Sequence, residues 1–285
     1  MSPIGNTKIS TYLPRLGLSA LLLCLISGII LAFYYRPMGN VFQNVEEITT
    51  LVPYGWFFRQ FHYISGQVFV ILMLIHTVDH FLRKRYLIYS AGQWFLLVLS
   101  LCLCFFVLFT GFVLKGDKEG LFAGQIFMNI LGAIPLAGEW LSKLFIVPGE
   151  SFFFLPYLYH CFFLPILLVY LIREHIREWL PDQKALFAAA AGLFLYALIV
   201  KPHVDIPPDA SVDMVKGPWF FVGIQSLLKI IHPVLAGLFI PGLFVGCVLV
   251  LPKVGTAWGR ALYYLITTAF CLYGILTFRA IIWGP

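Results

Sequence analysis

Charge is scarce in this sequence. Only 11% of its 285 residues are Asp, Glu, Lys or Arg, 61% are hydrophobic, and the mean hydropathy of +0.91 lies outside the range of water-soluble domains. This excludes a soluble globular fold and leaves a membrane protein. Acids are scarcer than bases, 13 against 19, yet the Lys and Arg residues are scattered through short segments between apolar runs. Without a basic patch there is no case for a nucleic-acid partner, and the charge marks topology instead. Cysteine is equally sparse. Cys24, Cys102, Cys104, Cys161, Cys247 and Cys271 all fall in apolar runs without metal-ligand spacing, and no Cys-x-x-Cys-His motif is present for covalent haem attachment, so they read as packing residues. The first apolar run, "LGLSALLLCLISGIILAFYY", is longer than a signal-peptide core and has no A-x-A-like cleavage site, which predicts a retained transmembrane helix.

What is present is a series of seven apolar segments near the length of about 20 residues that a helix needs to cross a bilayer. They are 17–35, 61–82, 93–114, 152–175, 184–201, 233–251 and 261–282, here spans A to G. The predicted fold is all-α, a polytopic membrane protein of seven transmembrane helices. An odd number of spans puts the termini on opposite faces. Lys8, Arg15, Arg83, Lys84, Arg85, Arg173, Arg177, Lys184, Lys253 and Arg260 then share one face, which the positive-inside rule makes cytoplasmic. The N-terminus lies there and the C-terminus opposite, as expected for a bacterial cytoplasmic membrane. The other face carries the longer A–B, C–D and E–F segments, with Glu46, Glu47, Asp117, Glu119, Glu139, Glu150, Asp205, Asp209 and Asp213. Long loops rich in Pro, Gly and aromatics are where a helical scaffold places a binding site. No internal repeat or appended soluble domain is visible.

Two spans carry paired histidines. In B, His62 and His76 are fourteen residues apart, about 3.9 turns, so they face nearly the same way about 21 Å apart. In D, His160 and His175 are fifteen apart, about 22 Å, with an angular offset that a bend at Pro165 would help absorb. B and D run in the same direction, so His62 stands level with His160 and His76 with His175. A neutral imidazole in hydrocarbon must be bonded, and two from facing helices supply both axial ligands of a haem iron. A proton relay would want acids among the histidines, and a zinc site would need ligands that converge. The pattern therefore predicts two non-covalent b-type haems with saturated axial positions, which carry electrons and bind no ligand. Arg59, one turn before His62, is placed to pair with a haem propionate or to act as an ordinary interfacial arginine. Gly28, Gly66 and Gly111 offer close backbone approach to a flat macrocycle, with generic helix packing as the alternative.

These residues, with "FYYRP", "GWFFRQFH", "TGFVL", "LGAIPLAGEWL", "HCFFLP" and "PPDASVDMVKGPWFF" in that order, resemble the cytochrome b family, the membrane core of bc-type quinol oxidoreductases and of their chloroplast counterparts. The resemblance covers nearly the whole chain. The fifteen-residue spacing and seven spans are similar to the chloroplast-type form, with its four-helix cytochrome (1–182, spans A–D) and three-helix companion (183–285, spans E–G) fused. It implies an outer haem on His62 and His160 and an inner haem on His76 and His175. It also implies a quinone or quinol substrate, a quinone pocket between the C–D segment and the loop before F, and redox partners, either a Rieske iron–sulfur protein or a c-type or multihaem cytochrome, in a homodimeric complex. Arg83, Glu174 and Arg177 are inner-face candidates for propionates or quinone protons.

The chain departs from the family where Pro-Glu-Trp-Tyr is expected. It reads Gly217, Pro218, Trp219, Phe220, so the carboxylate that takes a quinol proton is missing. Glu139 and Asp213, beside Trp219, are the substitutes the sequence offers, with His203 and His232 behind them. Two mechanisms follow: bifurcated oxidation with an altered proton acceptor, or a non-bifurcating path between quinone and a different redox partner. A haem-free proton transporter or channel, and a scaffold that has lost its haems, are the competing classes. Haem content separates them.

Overall fold

The computed structural model describes residues 8–200, 204–212 and 215–285, which form helices and loops. Helix α1 (Lys8–Ala32) leads through the short α2 (Val41–Thr50) to α3 (Gly55–Leu82) and α4 (Ala91–Val113). The C–D segment folds into α5 (Lys118–Gly132) and α6 (Gly138–Phe145). Then come α7 (Phe154–Glu178), α8 (Gln183–Ile199), the short α9 (Val222–Leu228), α10 (Leu235–Lys253) and α11 (Thr256–Trp283).

Six of these, α1, α3, α4, α7, α10 and α11, are long and apolar enough to cross a membrane. They coincide with predicted spans A, B, C, D, F and G. Predicted span E is α8, whose 17 residues extend about 25 Å, short of the usual hydrocarbon thickness of about 30 Å. Its two ends are nonetheless pinned at opposite ends of the bundle. Asp182, its N-cap, pairs with Arg15 of α1 at 2.9 Å, and Phe194 packs edge-on against Phe57 at the start of α3. Ile29, Ile166, Leu243 and Phe278 are more than half exposed; lipid supplies the surroundings that water would deny them.

Small side chains set how closely α1 and α3 approach. Ser19, Ala20 and Ser27 on α1 and Ser65 on α3 are buried, and the hydroxyls bond back to their own helices, Ser19 to Arg15 O, Ser27 to Leu23 O and Ser65 to Phe61 O. Helices α10 and α11 dock on α4 and α3, respectively, at the Arg83 end of the bundle. Trp94 donates Nε1–H to Val248 O at 2.8 Å, and Phe81 stacks on Tyr263 at 4.8 Å.

Helix α7 is not uniform. Tyr159–Phe163 is one π turn, closed by Leu164 N–H to Tyr159 O, immediately before Pro165, which has no N–H to give. A π turn takes up one extra residue. The fifteen-residue interval from His160 to His175 therefore comes back into phase with the fourteen of α3, and the offset expected from sequence is removed by a widened turn rather than a simple bend.

At the opposite end of the bundle, segments expected as loops are helical because each buries an apolar stripe or carries a cap. In α2, Val41, Val45 and Ile48 are buried at helical spacing. Gly116 (φ +67°) turns the chain from α4 into α5 where a Cβ would lie 2.7 Å from Val41 Cγ1, so only glycine fits. Asp117, fully buried, caps α5 by accepting from Gly120 N–H at 2.9 Å. Lys115 lies 2.7 Å from both Asp117 and Glu119 and 3.6 Å from Asp205, and Asp205 also pairs with Arg59. Burial pushes the Asp117 carboxyl above its ordinary value against the pull of Lys115. Burial acts to lower the Lys115 ammonium, but Asp117 and Glu119 outweigh it and hold the group above the ordinary lysine value. This network ties α3, the α4–α5 turn and segment 204–212 together.

Replacing Asp117 with Ala removes a cap and leaves a buried ammonium short of a partner. It is expected to destabilise the detergent-solubilised protein by roughly 2–4 kcal/mol, seen as a lower melting temperature, with Asp117→Asn losing less. An unchanged melting temperature for Asp117→Ala would show that the network contributes no stability.

Candidate functional site

The four histidines meet in two facing couples. His62 and His160 have ring centroids 6.0 Å apart at an interplanar angle of 88°, and His76 and His175 stand 5.8 Å apart at 50°. Two imidazoles on one metal have centroids about 6 Å apart, from two metal–nitrogen bonds of about 2 Å plus two ring radii. Both couples have that separation, with the rings edge-on or tilted and not stacked face to face.

The outer couple is held by a seat that the chain builds twice. His62 Nδ1 lies 2.9 Å from Cys24 O, and the Ser27 hydroxyl bonds the same carbonyl at 3.0 Å. His160 Nδ1 lies 3.0 Å from Val107 O, which the Thr110 hydroxyl also bonds, at 2.9 Å. A carbonyl only accepts, so Nδ1 carries the proton in both rings and Nε2 keeps its lone pair for a ligand. The residues four positions beyond these carbonyls are Gly28 and Gly111. A Cβ on Gly28 would lie 2.8 Å from His62 Cε1, and one on Gly111 2.5 Å from His160 Cε1. These glycines give clearance to the imidazoles themselves. Gly66 instead faces Cys24 Sγ at 3.4 Å and serves helix packing.

The inner couple lines a cavity of about 70 Å³ between α1, α3, α4 and α7, walled by Leu18, Phe69, Met73, Trp94, Leu168 and Ile172. His76 is buried, and neither of its ring nitrogens has a hydrogen-bond partner. A buried polar atom left unbonded costs about 1–3 kcal/mol, so this is a site in which a ligand completes the bonding. Apolar walls, two opposed imidazoles and unbonded nitrogen together fit a haem. A third imidazole, His80, also lines this cavity, its ring 4.1 Å from that of His76. Trp179 packs edge-on against His76 at 6.1 Å. Sequence reasoning passed over His80, although its position four residues after His76 puts it on the same helix face.

The predicted propionate-binding arginines already have partners. Arg59 pairs with Asp205 and donates to Thr49 Oγ1 at 3.1 Å, and Arg83 pairs with Asp79 at 2.7 Å. Glu174 pairs with Arg177 at 3.2 Å, and both are exposed.

The outer pocket is a small cavity of about 10 Å³ bounded by Glu119, Phe122 and Ala123 of α5 and by Val215, Gly217 and Phe221. It joins the loop before α9 to α5 of the C–D segment, and none of the "LGAIPLAGEWL" stretch lines it. Gln225 holds that loop, accepting from Gly217 N–H and donating to Val215 O, both at 2.8 Å. Glu139 does not belong here: it is 84% exposed and paired with Lys143 at 2.6 Å, which holds its carboxyl below the usual range. Trp219 turns away into the bundle, donating Nε1–H to Gln67 Oε1 at 2.7 Å. Asp213 and His203 lie outside the described residues. The carboxylate that lines the pocket is Glu119, which the sequence reading left among the loop acids.

Comparisons with known proteins identify the family. The family model described as "Cytochrome b/b6/petB" matches residues 7–178. Cytochrome b of Rickettsia typhi is 23% identical over 258 residues, covering 78% of this chain and 65% of that protein. The menaquinol:cytochrome c reductase cytochrome b subunit of Geobacillus thermodenitrificans is 28% identical over 156 residues, 53% of this chain and 70% of that one. Cytochrome b6 of Mesostigma viride is 31% identical over 158 residues, 52% and 71%. The chain spans less than two thirds of the length of the longer cytochrome b relatives, 57% for that of Theileria parva. A chain of a solved hyperthermophilic respiratory Complex III shares the fold, with a TM-score of 0.72 over 98% of this chain and 85% of its own at 16% identity. With a family match over more than half of its length and the family's helical architecture, this all-helical integral membrane chain belongs to the cytochrome b/b6 family.

Proposed function

We propose that the chain is the dihaem membrane subunit of a bc-type quinol oxidoreductase complex, carrying electrons between a quinone pool and other redox subunits. The observation that carries this reading is the pair of facing imidazole couples at 6.0 and 5.8 Å. His62 and His160 hold the outer b-type haem; His76 and His175 hold the inner one. A bis-imidazole haem supplies one-electron transfer with no open coordination position. The protein's part is to fix the rings. Nδ1–H bonds to Cys24 O and Val107 O orient the outer imidazoles and raise their basicity as ligands. Residues 1–182 then form the dihaem unit and 183–285 a three-helix companion, with α8 as the seventh crossing, the Arg83 end of the bundle cytoplasmic and the C-terminus on the opposite face.

The outer pocket supports quinol oxidation with a relocated base. Pro218 replaces the expected acid, but Glu119 borders the same cavity and is joined through Lys115 to Asp117 and Asp205. The cavity holds about one water, so a quinol ring enters by displacing segment 215–221, and Glu119 takes the hydroxyl proton directly or through that water. A Rieske or c-type partner accepts the other electron in a dimeric complex. The non-bifurcating alternative is favoured by Pro218 and the solvated Glu139.

A pyridine haemochrome count on the purified chain should give two b haems; zero would return the protein to the transporter or scaffold class. His76→Leu should remove only the inner haem signal, whereas loss of both at normal protein level would contradict the pairing. Gly111→Ala, which pushes on His160, should lower outer-haem occupancy and spare the inner. In the assembled complex, Glu119→Gln should lower quinol turnover by roughly 10²-fold or more with both haems retained, and Glu139→Gln should leave turnover unchanged. Wild-type turnover in Glu119→Gln would favour the linear path.

A further inference from the structure

His80 has no part in the electron path just described, yet it is built into the inner cavity. It is only 7% exposed, its Nδ1 has no hydrogen-bond partner among the described residues, and it lines the same space as His76 and His175. On its far side it stacks against Tyr89 with ring centroids 6.3 Å apart and planes within 13°. Four residues along the helix place it about 6 Å beyond His76 toward the Arg83 end. The hydroxyls of the cavity donate within their own helices, Thr77 to Met73 O and Ser100 to Leu97 O, each at 2.8 Å, and among the described residues neither oxygen accepts from His80 Nδ1. Arg83, the nearby cation expected to serve a haem carboxylate, is paired with Asp79.

An imidazole N–H buried without a well-placed acceptor costs about 1–3 kcal/mol, and among the described residues only the His76 carbonyl one turn back on the same helix comes near, without completing a full hydrogen bond to Nδ1. The missing acceptor must come with the ligand. A haem is apolar except for its two carboxylates, so the only acceptors it brings of matching strength are those carboxylate oxygens, and a bond from N–H to carboxylate is among the stronger kinds. His80 stands one turn beyond His76 on the same cavity, where it would meet a carboxylate of a haem held by His76 and His175.

Resting on the dihaem reading above, we propose that His80 binds the inner haem, donating its Nδ1–H to a haem carboxylate while His76 and His175 hold the iron. A donor there disperses the carboxylate's negative charge. That charge favours ferric over ferrous iron, so the bond raises the inner haem's midpoint potential relative to an unbonded carboxylate. Asparagine presents an N–H near the position of histidine Nδ1, whereas leucine fills the space without a donor.

The test is a quinone-free redox titration of the purified holoprotein and its His80→Leu and His80→Asn variants, with haem content measured first. If wild type holds two haems, the dihaem reading stands and His80 is tested separately. His80→Leu should then retain two haems and shift only the inner midpoint potential, to a more negative value, while His80→Asn stays close to wild type. An unchanged inner potential in His80→Leu would sink the proposal. Loss of the inner haem in both variants would overturn it by making His80 an iron ligand. A shift that appears only when quinone is added back would overturn it in favour of a quinone contact.

Discussion

The structure depends on holding four imidazoles level in two couples inside a medium that offers them nothing to bond. Hydrocarbon cannot satisfy a ring nitrogen, so each ring must be bonded to protein or to a ligand. At the outer couple the protein answers with a backbone carbonyl that already receives a hydroxyl from its own helix, at Cys24 and at Val107. A helical carbonyl is normally shielded by the side chain one turn on. Gly28 and Gly111 remove that shield, and the same Ser/Thr-Gly device appears on α1 and on α4. The π turn after His160 belongs to the same constraint: without it, α7 would present its two rings out of phase with those of α3.

The far end of the bundle solves a different problem, how to close over a pocket with a chain that carries few charges. Five of them, on Arg59, Lys115, Asp117, Glu119 and Asp205, are gathered into one network in which two cations bridge three carboxylates. Such groups are costly to bury alone and tolerable together. The network fixes the α4–α5 turn against segment 204–212, and in doing so fixes one wall of the outer cavity. Arg59 serves this closure, so it is positioned by Asp205 before any cofactor is considered.

The spans and the facing of the histidines were legible because each rests on a short-range rule: about 20 apolar residues for a crossing, and 3.6 residues per turn for which rings share a face. Six predicted spans coincide with crossing-length helices, while span E is recognisable only as a 17-residue apolar helix. What was illegible depends on contacts far apart in sequence. No local pattern tells that Arg59 meets Asp205, 146 positions later, or that Glu119 and not Glu139 faces Gly217. The π turn was hidden because Pro165 signals a disturbance without saying whether the helix bends or widens. His80 is the exception: its spacing from His76 was in plain view, and it was missed because four ligands had already been counted.

The two couples are not equivalent, and the difference follows from what each has already bonded. At the outer couple both Nδ1 atoms are committed to carbonyls, so the rings are oriented before any iron arrives and little ordering remains to be done. At the inner couple His76 has neither nitrogen bonded among the described residues, and it lines a cavity of about 70 Å³. A ligand there would order the ring as well as complete its bonding. The outer site is thus shaped by the protein and the inner site is completed by its ligand. Bonds made by the outer nitrogen of an imidazole tune it as a ligand, so two couples alike in residue type present different surroundings to whatever they hold.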